Sequence, residues 1–187
     1  MEHRKYIIFD LDGTLIDSFA TAVNACRLVF AEHASTVMPE ADYFMAYQHE
    51  DFEKMLYELA KLSGMTESRF RYEYDRQYSM DYLTGSKVNP TQYEVLKSAK
   101  SKNIGVIVVT NKRQELAEKV CNTLLGHGMV DIVVGRYDTT PIKPTQVVAD
   151  RLSAHNITSQ QCLKYYGDSI ADRQQAALLN IKYISIK

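Results

Sequence analysis

The chain is poor in cysteine. Its three, Cys26, Cys121 and Cys162, are scattered over 187 residues with no CxxC pair. That argues against a disulfide framework or a zinc site and makes a reducing cytoplasm the expected setting. Long apolar runs are also missing, and none approaches the ~20 residues needed to span a bilayer. The opening stretch MEHRKYIIFDLD has neither the long apolar segment nor the small-residue cleavage site of a secretory signal. Charge of one sign is lacking too. A net charge of −1 leaves no electrostatic footprint for nucleic acid or an anionic membrane. The five histidines, His3, His33, His49, His127 and His155, form no ligand spacing. The expectation is a globular chain of ordinary composition, one domain or one domain with a modest insertion.

Short, β-rich apolar runs are present: YIIF (6–9), GVIVVT (105–110), VDIVVG (130–135), CLKYYG (162–167) and KYISIK (182–187). Each is apolar on both faces, the pattern of a parallel strand covered from both sides. Between the later runs apolar residues recur with helical period: Leu116, Val120, Leu124 and Leu125, then Val147, Val148 and Leu152. Strand–helix repetition of this kind predicts right-handed crossovers and a three-layer α/β fold. The gap between the first two runs is the exception. Residues 15–93 show no convincing strand, but helical stretches begin near Ser18, His49 and Thr66. A crossover needs about a dozen residues, so a helical cap is expected at 15–93, within an α/β core of 1–14 and 94–187. Eight of the 13 tyrosines fall in that gap: Tyr43, Tyr47, Tyr57, Tyr72, Tyr74, Tyr78, Tyr82 and Tyr93. Helix packing with the hydroxyls at the surface is the simple account of them.

Ligands of parallel sheets bind beyond the carboxyl ends of the strands, so the residues at those ends carry the chemistry. The first run ends in Asp10 and Asp12, the second in Thr110 and Asn111, and the fourth in Asp168 and Ser169, with Asp172 one turn on. After the third comes Lys143, followed by Pro144, which is expected to open a helix at its first position. Two carboxylates crowded at a strand tip repel unless a cation lies between them. Mg²⁺ wants six hard oxygens, and Asp10, Asp168 and the backbone carbonyl of Asp12 are expected to supply three. The second oxygen of Asp10 then attacks phosphorus to give an aspartyl-phosphate. Asp12 protonates the leaving alkoxide and later takes a proton from the hydrolytic water. Thr110 and Lys143 neutralise non-bridging phosphate oxygens, and backbone amides around Leu11–Gly13 and Asn111 complete the cradle. Ser169 is either a helix cap or part of the shell behind the ligands. Asp172 is either a first-turn acid favoured by the helix dipole or a ligand or supporting group.

FDLDGT, VVTN, IKP and GDSIAD, in this order, resemble the four motifs of the haloacid dehalogenase-like (HAD) hydrolases. The helical gap after the first motif resembles the cap of the phosphoglycolate-phosphatase and β-phosphoglucomutase branch. The resemblance covers essentially the whole chain and implies a doubly wound, Rossmann-like core. Two details depart from the branch: Thr145 and Gln146 follow IKP in place of a proline and an acid, and Asn180 replaces the glycine that ends the last helix. Asn tolerates the left-handed conformation, so the same cap is expected.

Within the family, Asp12 argues for phosphoryl transfer over dehalogenation. Ala22 stands where sugar phosphomutases carry a histidine, twelve positions after the nucleophile. The expected activity is therefore hydrolysis of a small phosphorylated metabolite. A sugar phosphomutase, or a catalytically silent relative that binds a phospho-ligand, is the alternative. Receiver domains share an acidic Mg²⁺ pocket but place adjacent acids on the first strand and lack the insertion. Residues 15–95 hold 13 Asp/Glu and 7 Lys/Arg, a charge of −6, which does not favour a polyanion such as nucleic acid. Arg69, Arg71 and Arg76 are expected to be a solvated helix face, the alternative being contact with a second anionic group on a small substrate. The chain is expected to act in the cytoplasm as a monomer or homodimer.

Overall fold

The computed structural model describes residues 4–34, 36–47 and 52–186. They fall into two compact units, Met1–Asp17 with Lys87–Lys187, and Ser18–Ser86. The first unit holds a five-stranded parallel sheet of order β5-β4-β1-β6-β7. Its strands are β1 (Tyr6–Phe9), β4 (Gly105–Arg113), β5 (Ile132–Arg136), β6 (Cys162–Gly167) and β7 (Tyr183–Ser185). Ile8, Ile107, Val109, Val134 and Tyr165 share a core with Val148, Leu152, Ala176, Leu179 and Ile181. The alternate residues Ile7, Phe9, Val106 and Val108 are buried as well. Both faces are therefore covered, which is why the runs read as continuously apolar. The flanking helices are α5 (Pro90–Ser101), α6 (Gln114–Val120), α7 (Val147–Ala154) and α8 (Ile170–Leu178).

The return from helix to strand is built three times in the same way. Asn103, Asn156 and Asn180 take φ of 56°, 58° and 55°, and an isoleucine follows each. Ile104, Ile157 and Ile181 donate their N–H groups back to Ala99, Leu152 and Ala176, each at 2.9–3.0 Å. This is the Schellman closure of a helix, with asparagine in the place usually held by glycine. Asn180 thus adopts the left-handed conformation expected of it. A β-carbon without a polar tip is disfavoured there, so Asn180→Ala is expected to lower stability by about 1 kcal/mol, read from urea denaturation midpoints.

Three local expectations need correction. The gap after β1 is not free of strands: β2 (Ile16–Asp17) pairs antiparallel with β3 (Lys87–Val88). Two residues a side are too few to register as a periodic pattern. Tyr93 is not part of the inserted helices; it lies in α5 of the sheet unit, where its hydroxyl donates to Leu125 O at 2.9 Å. Pro144 does not open a helix. It follows a cis peptide bond, and α7 begins three residues later at Val147. The helical face from Leu116 also changes pitch, since α6 gives way to a wider π-turn over Cys121–Leu125, which leaves Leu124 half-buried.

The second unit is helical: α1 (Phe19–His33), α2 (Ala41–Met45), α3 (Phe52–Ser63) and α4 (Glu67–Gly85). The helix expected from His49 is described from Phe52; residues 48–51, like His3 and Lys187, lie outside the described residues. Phe70, Tyr74, Tyr78 and Tyr82 bury one side of α4, with Phe30 of α1 edge-on to Phe70 at 6.0 Å. Packing explains these tyrosines, but the Tyr78 hydroxyl is not at the surface: it lies 3.5 Å from the buried Ser86 Oγ. Nor are the arginines a plain solvated face. Arg71 pairs with Glu53, and Arg76 reaches Glu73 at 2.8 Å and Glu32 at 2.5 Å. Among the described residues, no helix is long and apolar enough to cross a membrane.

Candidate active site

β1 lies between β4 and β6, so the crossovers leave it in opposite directions, and the tips of these three strands meet at a switch point. Parallel register pairs Phe9 with Val108 on one side and Tyr166 on the other. The Asp10 N–H donates to Tyr166 O at 2.8 Å, which holds the first acid in line with the sheet. The backbone then turns sharply: Gly13 N–H donates to Ile16 O and Ile16 N–H to Leu11 O. Gly13 takes φ of +81°, and a β-carbon there would collide with the Asp168 carboxylate. Glycine is required twice over, for the turn and for the approach of β6's acid to β1's loop.

Asp10 is 5% exposed, and its Oδ1 accepts from Lys143 Nζ at 2.6 Å. The same ammonium donates to Asp172 Oδ1 at 2.6 Å and to Val109 O at 3.0 Å. Those bonds use all three N–H donors of a lysine. Lys143 is the counter-ion between two buried acids. Burial by itself pulls the Lys143 ammonium down, but the Asp10 and Asp172 charges outweigh it and hold it well above the usual lysine range. Asp10 is pushed well above the usual carboxylate range by burial first and the Asp172 charge second. Lys143 pulls the other way, and Asp168 adds to the rise.

Asp172 is fully buried and both its oxygens are committed. Oδ1 accepts from Lys143 and from the Tyr165 hydroxyl at 3.2 Å, while Oδ2 accepts from Ser169 Oγ at 2.6 Å and Ser169 N at 3.2 Å. Ser169 caps α8 in turn by accepting from Asp172 N. Asp172 closes a capping box and contacts Lys143. Asp168 accepts from the Thr14 hydroxyl at 3.2 Å. One oxygen from each of Asp10, Asp168 and Asp172 lies within 4.8 Å of the others.

On β4, the buried Thr110 accepts from Lys112 N at 3.2 Å. Asn111 Oδ1 accepts from Lys143 N at 2.8 Å, so the asparagine side chain fastens the lysine loop. Asp12 Oδ2 lies 3.0 Å from Lys112 Nζ. The structure thus gathers Asp10, Asp12, Thr110, Asn111, Lys143, Asp168, Ser169 and Asp172 at one end of the sheet. Sequence reasoning passed over Lys112, Thr14 and Tyr165. Lys112 carried a signal, a lysine directly after the VVTN tip; Tyr165 did not, because within its strand it reads as core.

The family model for haloacid dehalogenase-like hydrolases matches residues 7–186. The chain belongs to that family. A haloacid dehalogenase-like hydrolase from Streptococcus pneumoniae has the same fold, with a TM-score of 0.81 at 23% identity over 98% of this chain and 85% of its own. CbbY from Rhodobacter sphaeroides, solved with phosphate, gives a TM-score of 0.78 at 15% identity, covering 98% of this chain and 86% of its own. Among curated HAD relatives, phosphoglycolate phosphatase from Aquifex aeolicus is 30% identical over 137 residues, 70% of this chain. The match spans 60% of that relative's length.

Proposed function

We propose that this HAD hydrolase is a Mg²⁺-dependent phosphomonoesterase acting on a small phosphorylated metabolite through an aspartyl-phosphate at Asp10. The observation that carries the reading is a charge imbalance. Asp10, Asp168 and Asp172 converge within 4.8 Å, and the ammonium between Asp10 and Asp172 is that of Lys143. Three carboxylates against one ammonium leave two negative charges over, which a divalent cation balances. The donors are hard oxygens, the set that suits Mg²⁺. Asp10 and Asp168 would hold the ion with the Asp12 carbonyl, and Asp172 anchors the lysine beside them. When bound, the ion supplies Lewis-acid stabilisation of charge on the phosphoryl oxygens.

The chain's own residues then divide the work. Lys143 holds Asp10 Oδ1, which leaves Oδ2 as the attacking oxygen. As the bond from Asp10 to phosphorus forms, the bond from phosphorus to the leaving oxygen breaks, and Asp12 gives its proton to that oxygen. A water then attacks phosphorus and yields a proton to Asp12. The Asp10–phosphorus bond breaks, and inorganic phosphate departs. Thr110 and the strand-tip amides meet the non-bridging oxygens. The name of the Aquifex relative, a phosphoglycolate phosphatase, supports phosphomonoester chemistry. Ala22 in α1 offers no group to shuttle a proton on a sugar, which favours hydrolysis over phosphomutase activity.

Phosphate release from a panel of metabolite phosphates and an aryl phosphate tests the reading. Release is expected with Mg²⁺, and chelator should abolish it until Mg²⁺ is restored. Undiminished release in excess chelator, or no release from any monoester with Mg²⁺, overturns it.

A further inference from the structure

Lys112 has no part in the reaction as written, yet its ammonium lies 3.0 Å from Asp12 Oδ2, with the lysine side chain only 7% exposed and the aspartate 34%. Desolvating an ammonium this far is costly, and replacing a buried ion pair by apolar groups of similar volume is often neutral or stabilising. Stability therefore gives little reason for the pair. Its position gives a better one. Lys112 follows Thr110 and Asn111 on β4, and its own N–H donates to Thr110 Oγ1 at 3.2 Å. One residue links the acid of the first strand tip to the hydroxyl of the second.

We propose that Lys112 is the positioning residue for Asp12, holding one carboxylate oxygen so that the acid faces the leaving oxygen as its bond to phosphorus breaks. The proposal rests on the aspartyl-phosphatase reading. A lysine with a buried stem is a stiff anchor for the carboxylate it touches. Orientation of this kind matters where the leaving oxygen needs a proton. An alkyl phosphate departs as an alkoxide and needs Asp12; 4-nitrophenyl phosphate departs as a stable anion and needs it far less. Since kcat/KM reports only the steps up to formation of the Asp10–phosphorus bond, it separates proton donation from the later activation of water.

The test compares kcat/KM for glycerol phosphate and 4-nitrophenyl phosphate in wild type, Lys112→Met, Lys112→Gln and Lys112→Arg. With Met or Gln, the alkyl ester is expected to lose about 10- to 100-fold, part of the usual contribution of a positioned acid. The aryl ester should lose at most about threefold. Lys112→Arg should recover most of the alkyl activity, and the melting temperature of Lys112→Met should not fall. Equal losses on both esters, or no loss on the alkyl ester, overturn the proposal. A crystal structure of Lys112→Met provides a readout independent of turnover: Asp12 in more than one rotamer is expected, and a single wild-type rotamer overturns the proposal. Wild type and Asp10→Asn in the same assay report on the phosphatase reading itself. If that reading fails, no ester separates the variants, while the Asp12 rotamer still shows whether Lys112 holds the carboxylate.

Discussion

Lys143→Met is expected to abolish phosphate release and to cost the chelated protein about 3–5 kcal/mol of stability. The side chain is 5% exposed and touches two acids, Asp10 at 7% and Asp172 at 0%. Removing the ammonium leaves both buried with their main counter-charge gone. Asp172 keeps Tyr165 and Ser169 as donors, so the larger penalty falls on Asp10, which is forced to take up a proton and loses its nucleophilic form. For a chain of this size, the change corresponds to a fall in melting temperature of about 6–20 °C. Calorimetry in chelator reads the stability, and a phosphate-release assay reads the activity. Mg²⁺ should restore part of the stability but not the turnover. A variant that melts with wild type in chelator would refute the counter-ion role.

Asp10→Asn is expected to split the two properties. Turnover should fall by about 10⁴-fold or more, because an amide neither attacks phosphorus nor forms the covalent intermediate. Stability in chelator should hold or rise. The sign follows from the direction of the shift: the folded Asp10 carboxyl is pushed well above its ordinary range, by burial first and Asp172 second. Its ionised form is therefore worse off in the fold than in the unfolded chain, and it subtracts stability at every pH above its unfolded pKa of about 4. A neutral side chain of the same shape removes that penalty, while Lys143 keeps Asp172 and Val109 O. A gain of about 1 kcal/mol, or about 2–4 °C in melting temperature, is the expected scale. Mg²⁺ should raise the wild-type melting temperature more than that of the variant. Thermal scans of both proteins, with Mg²⁺ and with chelator, measure all four values; a variant that melts below wild type in chelator contradicts the argument.

Both predictions describe a site that is strained until it binds its ligands, a common feature of catalytic centres. The residues that create the strain were legible early. Thr110 ends a run of strand residues, and Asp10, Asp12, Lys143 and Asp168 each follow one or belong to a loop that does; a strand tip in a parallel sheet is where ligands bind. Strand runs are readable because both faces are buried, which suppresses the polar alternation that would otherwise blur them. What stayed hidden was local and pairwise. The ribbon of β2 and β3 has two residues a side, and the place where α7 begins depends on the Lys143 loop rather than on Pro144. The partners of Asp172 come from β6, from the turn before α8 and from the loop after β5, and no spacing in the chain relates them.

By itself, the sequence determined the five strands of the parallel sheet, the helical stretch between the first two of them and the acids that follow the strands, because periodicity and composition are local properties. Only the tertiary structure decided which charges meet. It set Lys143 between Asp10 and Asp172, made Asp172 an anchor as well as a cap, and paired Lys112 with Asp12. Charge pairing depends on distances of about 3 Å between residues far apart in the chain, and only the packed sheet sets those.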